Sequence, residues 1–132
     1  MSYNNFFPKI KKIKYEGPNS DNPLAFTHYQ EDRVVAGKAM KDHFRFAVAY
    51  WHSFCNENSD PFGTGTRRFP WDKTDNPIEN ARFRVEAAFE FFTKLGVPFY
   101  CFHDRDLAPE GKSIASSEKN LQELVSFAKQ HQ

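Results

Sequence analysis

Cysteine is nearly absent: Cys55 and Cys101 are the only two among 132 residues. Two thiols cannot build the multi-disulfide frame of a small secreted domain, so the fold has to rest on a packed core. Both lie in apolar stretches, where buried free thiols are expected. No apolar run approaches the roughly 18 residues of a membrane-spanning helix, which excludes that class. Charge of one sign is missing too. Eighteen basic and seventeen acidic side chains leave a formal net charge of +1. That balance provides no broad footprint for nucleic acid or for an anionic membrane surface, and neither is expected as a partner. Lys9, Lys11, Lys12 and Lys14 form one basic cluster, but Ile10 and Ile13 interrupt it, and it reads as a solvated edge. The opening stretch "MSYNNFFPKIKKIKYEGP" has no apolar core ending at a small-residue cleavage site, so the expected compartment is the cytoplasm.

Aromatic area is what the chain has in abundance. Aromatics make up 17% of the residues and include fifteen Phe, and so much ring surface needs a core or an interface to cover it. An oligomer follows as an expectation from composition alone. The length suits one ordinary domain.

Residues 1–43 read as an irregular arm punctuated by Pro8, Gly17, Pro18 and Pro23, in which only "DRVVAGKAM" suggests a short turn of helix. Residues 44–55, "FRFAVAYWHSFC", carry no Gly or Pro and are almost entirely apolar or aromatic. Such a run suits a strand buried on both faces, with a buried helix as the alternative that periodicity does not separate. Residues 56–75 are rich in Gly, Pro, Asp and Ser and read as a long loop, a length that usually has a functional reason or a covering partner.

Residues 76–95 give the clearest helix. Asn76 can cap it, Pro77 fits the first turn, Glu79 stands where a capping box places its acid, and Gly96 ends it. Ile78, Ala81, Val85, Ala88, Phe89, Phe92 and Leu95 recur at three- and four-residue spacing and form an apolar face. "VPFYCFHD" then reads as a second buried strand with Pro98 at its start. A final helix is predicted over 117–130, with Leu121, Leu124, Val125 and Ala128 on one face. Strand, helix, strand, helix implies parallel strands joined by a crossover, and chemistry at the C-terminal ends of the strands.

His103 and Asp106 lie at such an end. A neutral imidazole exchanges protons best when a carboxylate holds its second nitrogen, and Asp106 can do this if the backbone turns after His103. Asp104 points elsewhere if strand alternation persists. A catalytic acid/base pair and a purely structural strand-end pair both fit this spacing. The strand ends hold too few carboxylates for a hard-metal site, so no metal ligand is assigned. "FGTGTRR", with Gly63, Gly65, Arg67 and Arg68, lacks the lysine and the helix junction of a phosphate-binding P-loop. His28, His43 and His52 have no acid at useful spacing and read as surface or core histidines.

The segments "KIKYEGPNSDNPLAF", "GKAMKDHFRFAVAYWHSFC", "DPFGTGTRRFPWD", "ARFRVEAAFEFF" and "PFYCFHDRDLAPEG", in this order, resemble the N-terminal part of xylose isomerase of the longer, N-terminally extended class. The resemblance covers essentially the whole chain. It implies an α/β fold: the first two βα units of a (β/α)8 TIM barrel in 44–132, preceded by the arm 1–43, and incomplete unless oligomerised. It implies an aldose–ketose isomerase acting on D-xylose and D-glucose, usually a tetramer. It further implies that His103 assists ring opening, that Asp106 orients it, that Trp51 walls the sugar site and that Phe62 reaches a neighbouring subunit's site. Two divalent cations (magnesium, manganese or cobalt) are implied for the full-length family, held by later strands and not expected on this chain alone. A stand-alone, self-associating or sugar-binding module without catalysis is the alternative.

Overall fold

The computed structural model describes residues 5–132, and the first four residues of the expected arm lie outside them. The described residues form a mixed α/β unit with two small sheets and no closed barrel. The first sheet pairs β1 (Val34–Val35) with β2 (Lys38–Ala39), antiparallel, and the short helix α1 (Met40–His43) follows. This corrects the helical reading of "DRVVAGKAM". Ala36 and Gly37 both have positive φ, at 49° and 81°, and form a two-residue hairpin turn whose twist matches the flanking strands.

The second sheet carries the site. β3 (Ala47–Ala49) runs parallel to β4 (Phe99–Cys101), with Ala47 opposite Phe99 and Ala49 opposite Cys101. The long helix α2 (Pro77–Leu95) makes the crossover between them. The predicted strand 44–55 is therefore mostly not a strand. After three residues the chain turns helical, and Trp51–Cys55 is a π-helical turn. Nor are the strands buried on both faces: Phe44, Phe46, Phe99 and Phe102 are exposed, while Val48, Tyr50 and Phe54 point inward. The physical reason is the thinness of the sheet. Among the described residues it has two strands and one helical layer, so one face is left open.

α2 forms where the sequence places it. The Asn76 side chain accepts from the amides of Ile78 and Glu79, Pro77 opens the first turn, and Gly96 closes the helix in the left-handed region at φ 75°. Its apolar residues serve two clusters. Ala87, Ala88 and Phe92 pack with Val48, Tyr50, Phe54, Phe69 and Trp71. Ala81 and Val85 pack with Leu107, Ala108, Leu124 and Ala128. Leu124 and Ala128 belong to the last helix, α4 (Ile114–Lys129), which begins three residues before the predicted start because Ser113 caps it. The short helix α3 (Asp104–Leu107) contributes its buried Leu107 to the second cluster.

The arm is tied down by its backbone. The Glu90 carboxylate accepts from the amides of Phe6 at 2.7 Å and Phe7 at 3.2 Å, and Lys94 donates to the Phe7 carbonyl. Glu90 and Lys94 also pair with each other at 2.6 Å. Burial alone would push the Glu90 carboxyl up; the Lys94 ammonium and the two amides outweigh it and hold the group below its ordinary value. Residues 56–75 are a loop as expected, with Phe69 and Trp71 folded into the core. Gly65 passes so close to Glu57 that a Cβ at this position would overlap it. Both cysteines are free, but Cys101 is exposed and Cys55 only partly buried, which corrects the expectation of two buried thiols. Among the described residues no helix is long and apolar enough to cross a membrane.

Candidate active site

The site forms where β4 gives way to α3. His103 is extended and occupies the N-cap of α3, so the backbone turns immediately after it. That turn brings Asp106 back over His103. One carboxylate oxygen, Oδ2, accepts from the His103 backbone amide at 2.7 Å and lies 2.9 Å from Nδ1 of the ring. The first bond satisfies a helix-start amide, which gives the carboxylate a fixed seat. A carboxylate only accepts, so Nδ1 carries the proton in this bond and Nε2 of the neutral ring is left with its lone pair. The His103 side chain is 68% exposed and that of Asp106 14%, so the imidazole faces solvent while the carboxylate is sheltered.

Trp51 opens the π-helical turn at the end of β3, and its indole lies against His103 with centroids 4.7 Å apart. A π-helical turn is rare, and this one lies in no longer helix but turns the chain just after β3. Here the turn also places Cys55 under the Asp106 carbonyl, 3.5 Å away. Burial pushes the Cys55 thiol up, opposed by the guanidinium of Arg84 beside it. Tyr50, just before the turn, is buried, and its hydroxyl has no partner. Burial raises that phenol well above the usual range.

Trp51, His103 and Asp106 therefore converge. Phe62 does not join them in this chain. It stands 96% exposed at a turn in which Asp60 Oδ1 accepts from its amide and Asp60 and Gly63 pair across. Asp104 Oδ1 accepts from the Arg105 amide at 2.9 Å. The strand alternation invoked for it has already given way to α3 at that point. His28, His43 and His52 are exposed, and Nε2 of His43 meets the Val35 carbonyl. Arg67 stacks over the Phe69 ring, 4.5 Å from its centroid. Among the described residues no three His, Cys, Asp or Glu side chains gather as a metal ligand set. Arg84, reaching the site from α2, was not singled out by any sequence signal, because its partners lie 22 and 29 residues away.

No family model matches the chain. Among curated proteins it is 58% identical over 126 residues to a xylose isomerase of Caldicellulosiruptor bescii. It is 58% identical over 127 residues to xylose isomerase 2 of Xanthomonas campestris pv. campestris, and 52% over 126 to a xylose isomerase of Caldanaerobacter subterraneus subsp. yonseiensis. Each similarity covers 96% of this chain, and the chain spans 28 to 29% of the length of these relatives.

Proposed function

We propose that this chain, similar nearly end to end to the N-terminal part of xylose isomerases, supplies the sugar-opening part of an aldose–ketose isomerase. The substrates of the reading are D-xylose and, as a related aldose, D-glucose. One observation carries it: an exposed imidazole whose Nδ1 is committed to a sheltered carboxylate at 2.9 Å. A cyclic aldose opens when the anomeric O–H loses its proton and the ring oxygen gains one, as the bond from C1 to the ring oxygen breaks and the C1 carbonyl forms. Nε2 of His103 takes the first proton and returns it to the ring oxygen. Asp106 keeps the ring in the needed tautomer and stabilises the cation that forms between the two transfers. The Trp51 indole offers a flat apolar wall to the sugar's C–H face. Phe62, projecting from its loop, reaches a neighbouring subunit in a tetramer.

In this reading β3, α2 and β4 belong to the first two βα units of a (β/α)8 barrel, and further strands carry the ligands of two divalent cations. Those cations, magnesium, manganese or cobalt, polarise the open-chain sugar for the hydride shift when bound. The residues described here do not form their ligand set, and this chain's own contribution is proton transfer and shape. The expected compartment is the cytoplasm. A second reading, self-association without catalysis, is favoured by the exposed Phe44, Phe46 and Phe99 beside the sheet.

The test is a chimera in which this chain replaces the matching segment of the Caldicellulosiruptor bescii relative, assayed for xylose to xylulose conversion. The expected result is an active chimera in which His103→Asn slows turnover of cyclic sugar far more than it weakens cation binding. Equal loss of both, or undiminished turnover, would sink the assigned role. Light scattering and the same assay on the isolated chain address the second reading: a defined oligomer without turnover favours it, and a monomer counts against it.

A further inference from the structure

Arg84 is a partly buried cation beside the site, and the reaction just outlined does not use it. It projects from the middle of α2 with Nη1 3.2 Å from the Cys55 sulfur and 3.3 Å from the Asp106 carbonyl oxygen. The Cys55 thiol itself lies 3.5 Å from that same carbonyl oxygen. One guanidinium nitrogen therefore ties together the last residue of the π-helical turn that carries Trp51 and the residue whose carboxylate holds His103. Its Nε is buried without a partner, as is the nearby Tyr50 hydroxyl. A partly buried cation whose Nε is sheltered and unsatisfied costs stability, and an apolar side chain of similar length would fill the space with less penalty. The arginine is thus poorly explained as filling for the core.

We propose that Arg84 is a positioning residue: it pins the Asp106 backbone from below so that the carboxylate stays under Nδ1 of His103, and it fixes the Trp51 turn in register with that pair. The proposal rests on the reading of His103 as the proton-transfer group. The anchor supplies what α3 lacks, since a four-residue helix has little rigidity of its own. With the Asp106 carbonyl anchored, its side chain has only its own two torsions left to set.

The signature to follow is the tautomer of neutral His103, read from the ¹⁵N shifts of its two ring nitrogens in the 132-residue chain. The wild type should be in the Nδ1–H form. Asp106→Asn should abolish that preference; if it does not, the pairing itself is misread, and the reading of the site fails with it. With the pairing established, Arg84→Met should lose the Nδ1–H preference and Arg84→Lys, which keeps one donor for Cys55 and Asp106, should restore most of it. Arg82→Met, removing a surface arginine of the same helix that pairs with Glu123, should leave it intact. A folded Arg84→Met that retains the wild-type tautomer would overturn the proposal while leaving the His103–Asp106 pair standing. If the Met variant does not fold, Arg84→Gln, neutral but able to donate, decides in its place: the Nδ1–H form should survive in part, and its full survival with both the Cys55 and Asp106 bonds broken would count against Arg84.

Discussion

The indole of Trp51 lies against the imidazole of His103, their ring centroids 4.7 Å apart and their planes inclined at 44°. The two side chains come from different strand ends, 52 residues apart in sequence numbering, and meet only because β3 and β4 are parallel and in register. Removing the indole should cost the pair about 0.5–1.5 kcal/mol. In Trp51→Ala the His103 ring protons are expected to lose their ring-current shift and move toward solvent values, whereas Trp71→Phe should leave them in place. Unmoved His103 resonances in Trp51→Ala would mean that the two rings do not pack in solution.

Phe54 and Phe62 provide a contrast within one residue type. Phe54 is buried among Tyr50, Trp71, Phe91 and Phe92, while Phe62 is 96% exposed. Phe54→Ala should destabilise by roughly 3–5 kcal/mol, a large part of the total stability of a domain this size. Phe62→Ala should stay within about 0.5 kcal/mol in the same urea titration. Comparable losses would place the Phe62 ring in a packed environment.

Acid should release the arm before it melts the core. Because the folded Glu90 carboxyl is held below its ordinary value of 4.5, its stabilisation is fully present above that pH and is lost as pH falls through the lowered folded value. Amide exchange at Phe6 and Phe7 is the direct measurement. Exchange at both should accelerate over that acid window in the wild type, and Glu90→Gln should be fast already at neutral pH. Protection that persists in Glu90→Gln would assign the arm's attachment to its aromatic contacts instead.

The ends of α2 are independent targets. Asn76→Ala removes an acceptor shared by two amides and should cost about 0.5–2 kcal/mol. Gly96→Ala forces a Cβ into the left-handed region at φ 75° and should cost roughly 1–2 kcal/mol. The sites lie at opposite ends of a nineteen-residue helix and share no partner, so the double variant's loss should equal the sum of the single losses in thermal melts.

α2 could be read from the sequence because each local signal agreed: a capping Asn76, Pro77 in the first turn, apolar spacing of three and four, and Gly96 to stop. The run 44–55 could not, because it is nearly all apolar or aromatic, and such a run has no clear period to betray where strand becomes helix. The hairpin at 34–39 was hidden for a different reason. Its turn uses Ala36 where Asn or Asp normally accepts positive φ, so the usual hairpin signal is missing. Of the site, the His103–Asp106 contact was legible as an i, i+3 pairing that needs only one turn of backbone. Its link to Arg84 is tertiary, made by a helix packing across the sheet, and no spacing along the chain encodes it.

The open edges of the second sheet carry a direction. Among the described residues neither β3 nor β4 has a second neighbour, and both point their C-terminal ends toward the rim that holds Trp51 and His103. Any further strand that continues the parallel ladder on either side must therefore deliver its own last residues to that same rim. Polarity alone, without any sequence match, converts strand addition into delivery of side chains to the imidazole's neighbourhood.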